Sequence, residues 1–195
     1  MPLGAFKAAL MGTAGVSTGD VVLLSTQTAS NSASLTFSSG ITSTYGEYIF
    51  KFYNIHPQTD NKSFSFQFNA SGQSGYNETI TSTSFQAFHT EGDYTEFAYH
   101  AASDQAQGTS YELFGNQHGN DTDESAAGEL HIFNPSSTTY VTHFIGQTTR
   151  ATDDSGTKTF YTAGYVNATA AITDVSFKFD SGNIDLGTIK LWGVK

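Results

Sequence analysis

A hydrolytic site needs a base, a group to orient it, and an activated water or nucleophile within reach. The chain offers six histidines for that role, at positions 56, 89, 100, 118, 131 and 143, and it contains no cysteine. Only in GELHIFN, residues 128–134, do suitable types share a strand face: Glu129 and His131 stand two residues apart, with His143 expected on the next strand. The competing reading is a cross-strand polar pair on a solvated sheet face, and the sequence favours it.

Metal chemistry has two places to start, the DTDE run at Asp121, Asp123 and Glu124 and the pair Asp153-Asp154. Calcium loops also need a turn-forming glycine and a further ligand at set spacing, and the EF-hand pattern is not met. A solvated acidic loop is expected instead. Asp180 and Asp185 flank the turn Ser181-Gly182-Asn183, where a carboxylate bonding to nearby backbone outweighs a ligand role. Five Asn-x-Ser/Thr triplets begin at Asn61, Asn69, Asn77, Asn120 and Asn167, as chance allows in a chain so rich in Ser and Thr. No phosphate-binding glycine loop and no G-x-S-x-G elbow occurs. The residues therefore predict no catalytic group, no resident metal and no cofactor.

Sugar recognition is the remaining chemistry, since exposed aromatic rings beside amides and acids stack on pyranose faces. Tyr94, Tyr99, Tyr111 and Trp192 are the candidate surface contacts, against the reading that such rings fill a core or a subunit interface.

The elements that must position these residues are strands. Sixteen Phe and ten Tyr stand against two Met and one Trp, which puts the apolar mass into side chains suited to pleated surfaces. Period-two alternation recurs. In SFSFQF, Phe64, Phe66 and Phe68 oppose Ser63, Ser65 and Gln67, predicting one buried face. YIFKFYNI, residues 48–55, sets Tyr48, Phe50 and Phe52 opposite Ile49, Tyr53 and Ile55, predicting a central strand covered on both sides. Further strands are expected at 20–27, 32–37, 84–90, 95–101, 128–134, 139–149, 159–166, 175–180 and 188–194, with turn chemistry at Ser39-Gly40, 69–75, Glu91-Gly92-Asp93, Asn134-Pro135, 153–156 and 181–183. About eleven short strands at this spacing predict an all-β, single-domain β-sandwich, jelly-roll-like, over residues 16–195. Residues 102–129, rich in Gly, Asp, Asn and Gln and holding one short strand-like piece, SYELF (110–114), are expected to form an exposed edge or loop.

Both ends carry apolar residues. Ile189, Leu191, Trp192 and Val194 predict a final strand pinned into the sheet. At the start, residues 1–15 read as a short arm with Leu3, Phe6 and Leu10 as candidate anchoring residues, and as a poor match to a secretion signal. The formal charge of −10 argues against a phosphate backbone as partner, and no apolar run approaches the length of a membrane span.

The closing stretch FKFDSGNIDLGTIKLWGVK resembles the C-terminal signature of virion structural and tail-fibre-like proteins of tailed bacteriophages, especially those of marine hosts. The segments EYIFKFYNIHPQTDN (47–61) and GELHIFNPSSTTYVTHFIG (128–146) are similar to that group as well. The resemblance implies a non-enzymatic β-sandwich that assembles on a particle, in a tail fibre, appendage or capsid decoration, as a homo-oligomer with a trimer favoured. It implies other virion proteins as partners, possible contact with a host surface glycan, and synthesis in the bacterial cytoplasm. Residue by residue it carries over a closing strand at Gly187–Val194 and a tight loop at Asn54–Asn61. A carbohydrate-binding or depolymerising module is the alternative; a self-assembling secreted surface protein is a third.

Overall fold

A computed structural model describes residues 20–153 and 155–195. Thirteen strands and no helix occupy them, in the order β1 (Val21–Ser32), β2 (Leu35–Phe37), β3 (Glu47–Pro57), β4 (Phe64–Ala70), β5 (Ile80–Thr90), β6 (Thr95–Tyr99), β7 (Ala106–Gly108), β8 (Glu112–Leu113), β9 (Ala126–Phe133), β10 (Thr142–Thr152), β11 (Gly156–Val166), β12 (Ile172–Phe179) and β13 (Ile184–Val194). They form two antiparallel sheets. The nine-stranded sheet runs β1-β13-β3-β9-β10-β11-β5-β6, with β7 also on β5, and the four-stranded sheet runs β2-β12-β4-β8. The fold is a β-sandwich of unequal layers, as the alternation predicts.

The strand that ends the sequence lies inside the large sheet, with β1 on one side and β3 on the other. Its inner residues Ile189 and Leu191 are fully buried. They join a core built from phenylalanine, centred on Phe177 of β12, whose ring lies 5.2 to 5.3 Å from Phe50 and Phe52 of the facing sheet. Edge-to-face and tilted packing of this kind adds about 1 kcal/mol per pair to the area buried.

The two strands read most closely from alternation exchange their roles. All seven residues of β4 are buried, on both faces. Phe64, Phe66 and Phe68 enter the core, while the Gln67 amide on the other face donates to the carbonyls of Glu78 and Ser110, at 3.1 and 2.8 Å. Polar residues there satisfy a covering backbone rather than meet water. β3 instead buries only one face, Tyr48, Phe50 and Phe52, and leaves Tyr53 exposed. Ile55 is buried with the phenylalanines and not with Tyr53, because a bulge between Phe52 and Ile55 reverses the alternation. Asn54 sits there at φ 50°, facing Gly187 at φ 130°, where a Cβ would come within 2.8 Å of the Asn54 carbonyl oxygen. The expected loop at 54–61 thus starts later, since β3 continues through Pro57.

Residues 102–129 depart from expectation in part. Positions 106–107, 109–110 and 121–123 are exposed and β8 is an edge strand, but the stretch 103–118 is also packed across the large sheet, with Ser103, Glu112, Phe114 and His118 buried. Backbone bonds bind it to the start of β4: Phe114 N–H donates to the Phe64 carbonyl (2.7 Å) and His118 N–H to that of Lys62 (2.9 Å). The Phe114 ring rests on Gly146 of β10, where any Cβ would collide with it. β7 and β8 arise from this docking, which explains why so few residues form them.

Under that segment the sandwich interior turns polar. Ser82, Ser84, Thr148, Arg150, Lys158 and Thr162 of the large sheet are all buried. The Arg150 guanidinium donates to the Asn116 backbone and side-chain oxygens, Lys158 to Gln117 Oε1, and Thr162 Oγ1 to Glu112 Oε1 at 3.0 Å. Burial raises the Glu112 carboxyl above its usual range despite these donors.

Candidate functional site

Among the described residues nothing covers the outer face of the nine-stranded sheet, and alternation decides which residues it presents. From β1 to β10 one row reads Leu23, Trp192, Ile49, His131, Ile145. The next row reads Thr26, Lys190, Lys51, Glu129, Gln147 and continues through Tyr161 and Phe85 to Tyr99. Several apolar groups on this face are well exposed, among them Ile145 at 55% and Phe97, two residues before Tyr99 in β6, at 72%. Phe85 stacks on Tyr161 with centroids 4.8 Å apart. The face is a broad apolar and aromatic surface with polar residues set into it.

Lys51, Glu129, His131 and Glu47 in its middle form a paired network, while Lys190 lies over the Tyr53 ring with Nζ 5.3 Å from its centre. Lys51 Nζ donates to Glu129 Oε2 at 3.0 Å, His131 Nδ1 lies 2.5 Å from Glu47 Oε1, and His131 Nε2 lies 3.3 Å from Glu129 Oε1. The Lys51 hydrogen bond holds Glu129 below the usual carboxylate range. Glu129 and His131 do share a face, as the sequence predicts. His143, however, pairs with Phe133 and Tyr165 and stands outside this ladder. The arrangement is the cross-strand polar network that strand spacing favours, with both histidine nitrogens turned to carboxylates.

The four candidate contact residues occupy separate places. Tyr94 is exposed at the β5–β6 turn with its hydroxyl on Glu96 at 3.0 Å, and Tyr99 is exposed at the far end of β6 with its hydroxyl on Asp104. Tyr111 is half-buried beneath Lys178, whose Nζ lies 4.1 Å from the ring centre. Trp192 is half-buried in the open face between Leu23 and Ile49. The cleft that Tyr111 lines takes in Asp104, the partner of the Tyr99 hydroxyl, but none of the other three rings. More exposed than any of these are Phe97 and Tyr140, which sequence reasoning left out although Phe97 alternates with Tyr99 in a strand it identified. Leu3, Phe6 and Leu10 lie outside the described residues.

A cleft of about 660 Å³ opens where the β3 bulge meets the 120–125 turn, lined by Asn54, His56, Gln58, Asn120, Asp123 and Asp185 among others. Asp185 reaches it from β13 and lies 3.9 Å from His56 Nδ1, so its place is in the cleft and not in the preceding turn. Asp180 does serve that turn, accepting from the Ser63 and Ser181 N–H groups. The DTDE run closes on itself, Asp121 N–H donating to Glu124 Oε2 at 2.8 Å. Among the described residues no group of three or more His, Asp or Glu is arranged to hold a metal ion.

No protein-family model matches the chain, and no curated protein is similar to it. Two solved structures give the scale of likeness. A crystal structure of unknown function from Bacteroides ovatus aligns at 6% identity and a TM-score of 0.31, over 53% of this chain and 45% of that one. The aerolysin-like protein of Bombina maxima aligns at 11% identity and a TM-score of 0.12, over 83% and 88%. The chain thus spans less than half the length of the Bacteroides ovatus protein, and its fold class stands on its own two packed sheets.

Proposed function

We propose that this chain is a structural component of a tailed-bacteriophage virion, in a tail fibre, appendage or capsid decoration, acting by assembly and surface contact. The observation that carries the reading is the outer face of the large sheet, which no described residue covers and where Ile145, Phe97, Leu23 and Trp192 stand among paired polar groups such as Lys51–Glu129 and His131–Glu47. Large exposed apolar surfaces rimmed by polar groups mark interaction sites. Its partners are other virion proteins and further copies of itself, a trimer being what the phage resemblance favours, with the arm at residues 1–15 as the anchoring segment. The test is gold labelling of intact particles from the producing phage with antibody against the purified chain. Label at a fixed position on the particle supports the proposal; label confined to the free protein of the lysate overturns it.

A sugar-binding or depolymerising reading draws on the 660 Å³ cleft, whose amides and acids suit a polyhydroxylated ligand. None of Tyr94, Tyr99, Tyr111 or Trp192 lines that cleft, so the stacking platform that sugar recognition uses is missing from it. A glycan array with a reducing-end assay on the purified chain separates the readings, because release of reducing ends would replace the contact function with a reaction.

A further inference from the structure

Sheet edges are sites of unwanted pairing, and proteins blunt them by shortness, charge, proline or cover. Three of the four edges here follow that rule. β2 has three residues, β8 two, and β6 five, with Glu96 among them. The fourth is β1, twelve residues long and the longest strand described. Its sequence VVLLSTQTASNS contains no charged residue, no histidine, no proline and no glycine. A single bulge between Leu23 and Ser25 interrupts it, and pairing with β13 is regular from Ser25 to Ser30.

Backbone phase tells which groups point off this edge. Lys195 N–H donates to the Asp20 carbonyl at 3.0 Å, so Asp20 and Val22 turn their backbone to β13 while Val21 and Leu23 turn theirs outward. Past the bulge the phase is given by Ser30, whose N–H bonds to Ser32 Oγ at 3.2 Å and not to β13. Thr26 and Thr28 therefore face outward as well. Among the described residues nothing pairs with these outward groups. Val21 and Leu23 also expose their side chains beside the edge, by 55% and 45%.

We infer that β1 is a self-pairing edge: two copies of this chain join antiparallel through β1 about a two-fold axis, doubling the nine-stranded sheet into one continuous layer. Charge selects the occupant. A chain of net charge −10 repels its own kind over most of its surface, and β1 supplies a long segment where two copies meet without opposing like charges. Antiparallel pairing of identical strands is isologous, so it closes at two copies and does not run on into a filament.

The pairing rests on the reading of the chain as an assembling module, and gives it a two-fold symmetry in place of the trimer that the phage resemblance favours. The experiment is light scattering of the purified full-length chain after size exclusion, across a dilution series, with two variants. Thr26→Pro removes an outward N–H and leaves the groups facing β13 intact, a substitution that edge strands tolerate. Leu23→Lys places a charge on each side of the pair. The expected wild-type mass is about 42 kDa, two chains of 20.9 kDa. Thr26→Pro is expected at the mass of one chain with an unchanged circular dichroism spectrum, and Leu23→Lys to weaken association about tenfold or more. Amide exchange gives a second readout: the Thr26 and Thr28 N–H groups are protected at high concentration and exchange freely in Leu23→Lys. If Thr26→Pro does not fold, Leu23→Lys and the exchange data decide. A single-chain mass at about 100 μM, a three-chain mass, or a dimer that withstands both substitutions overturns the inference. A single-copy component would still take gold label on the particle, so failure here is distinct from failure of the virion reading.

Discussion

His118 is enclosed between the rings of Phe64 and Phe179, its Nδ1–H donating to the Lys62 carbonyl at 3.0 Å. Burial, reinforced by the Arg150 charge, lowers its pKa well below 6.5. As pH falls below about 6.5 the unfolded chain takes up a proton that the folded one refuses, so stability is lost in that direction, by up to about 1.4 kcal/mol per pH unit. His100 is lowered for the same leading reason and adds the same sign, whereas the raised Glu112 carboxyl acts oppositely above pH 4.5. In His118→Phe the Lys62 carbonyl keeps the bond from the residue-118 N–H. The expected outcome is a slope of unfolding free energy against pH, between 6 and 5, reduced by about one proton in denaturant titrations; an unchanged slope would contradict the neutral, buried imidazole. The ladder on the open face behaves differently. Glu129, held low by Lys51, contributes stability above pH 4.5 that is lost on acidification through its lowered pKa. Lys51 and Glu129 are each about two-fifths exposed, so Lys51→Ala is expected to cost under about 1 kcal/mol in the same titrations. Spacing alone made the Glu129–His131 neighbours legible; nothing local in the sequence marks His118 as buried, because its surroundings come from β4 and β12.

The segment from Ser103 to His118 is held by tertiary contacts more than by its own pattern, and Phe114 is its principal anchor. The ring packs at 5.5 and 5.3 Å from Phe52 and Phe66 and lies over Gly146, while its carbonyl accepts from Thr148 Oγ1 at 2.6 Å. Phe114→Ala is expected to cost about 3–5 kcal/mol in urea unfolding and to speed amide exchange over 103–118. Gly146→Ala attacks the same contact from below, since its methyl meets the ring. In the double variant the methyl occupies space the ring has left, so the combined cost should fall short of the two single costs added together; simple additivity would place Phe114 elsewhere. This element also marks where sequence reading stops. The eleven strands expected are all present, because half-burial writes a period of two into most of them, as in β10, where buried and exposed residues alternate from Thr142 to Arg150. β7 carries no such period, whereas β8 lies within the strand-like piece SYELF and is only two residues long. β4 and β3 mislead for a related reason: a polar residue on a strand means water only when nothing packs over it, and Gln67 lies beneath residues that arrive from elsewhere in the chain.

Across the whole molecule the decisive feature is that the last strand in sequence is an interior strand in space. β13 separates β1 from β3, and Thr28 and Thr188, 160 residues apart, face each other across it with hydroxyls 3.2 Å apart. Without β13 the edge strand β1 has no neighbour in the large sheet, and Ile189 and Leu191 leave a trough along the phenylalanine core. Each of those two side chains is worth about 2–5 kcal/mol when truncated, and a domain's whole stability is of the order of 5–15 kcal/mol. Removal of residues 188–195 is therefore expected to abolish the cooperative melting transition, followed by circular dichroism and by Trp-free aromatic fluorescence. Contacts at such separation also make folding slow, on the order of milliseconds to seconds, since loop closure precedes any gain from pairing. Replacing Leu191 by Ala gives the graded version: it should raise the unfolding rate and lower the melting temperature while the strand order survives. A truncated chain that melts like the full-length one would mean that β13 only lines the sheet, and the sandwich would then have to be closed by β3 and β12 alone.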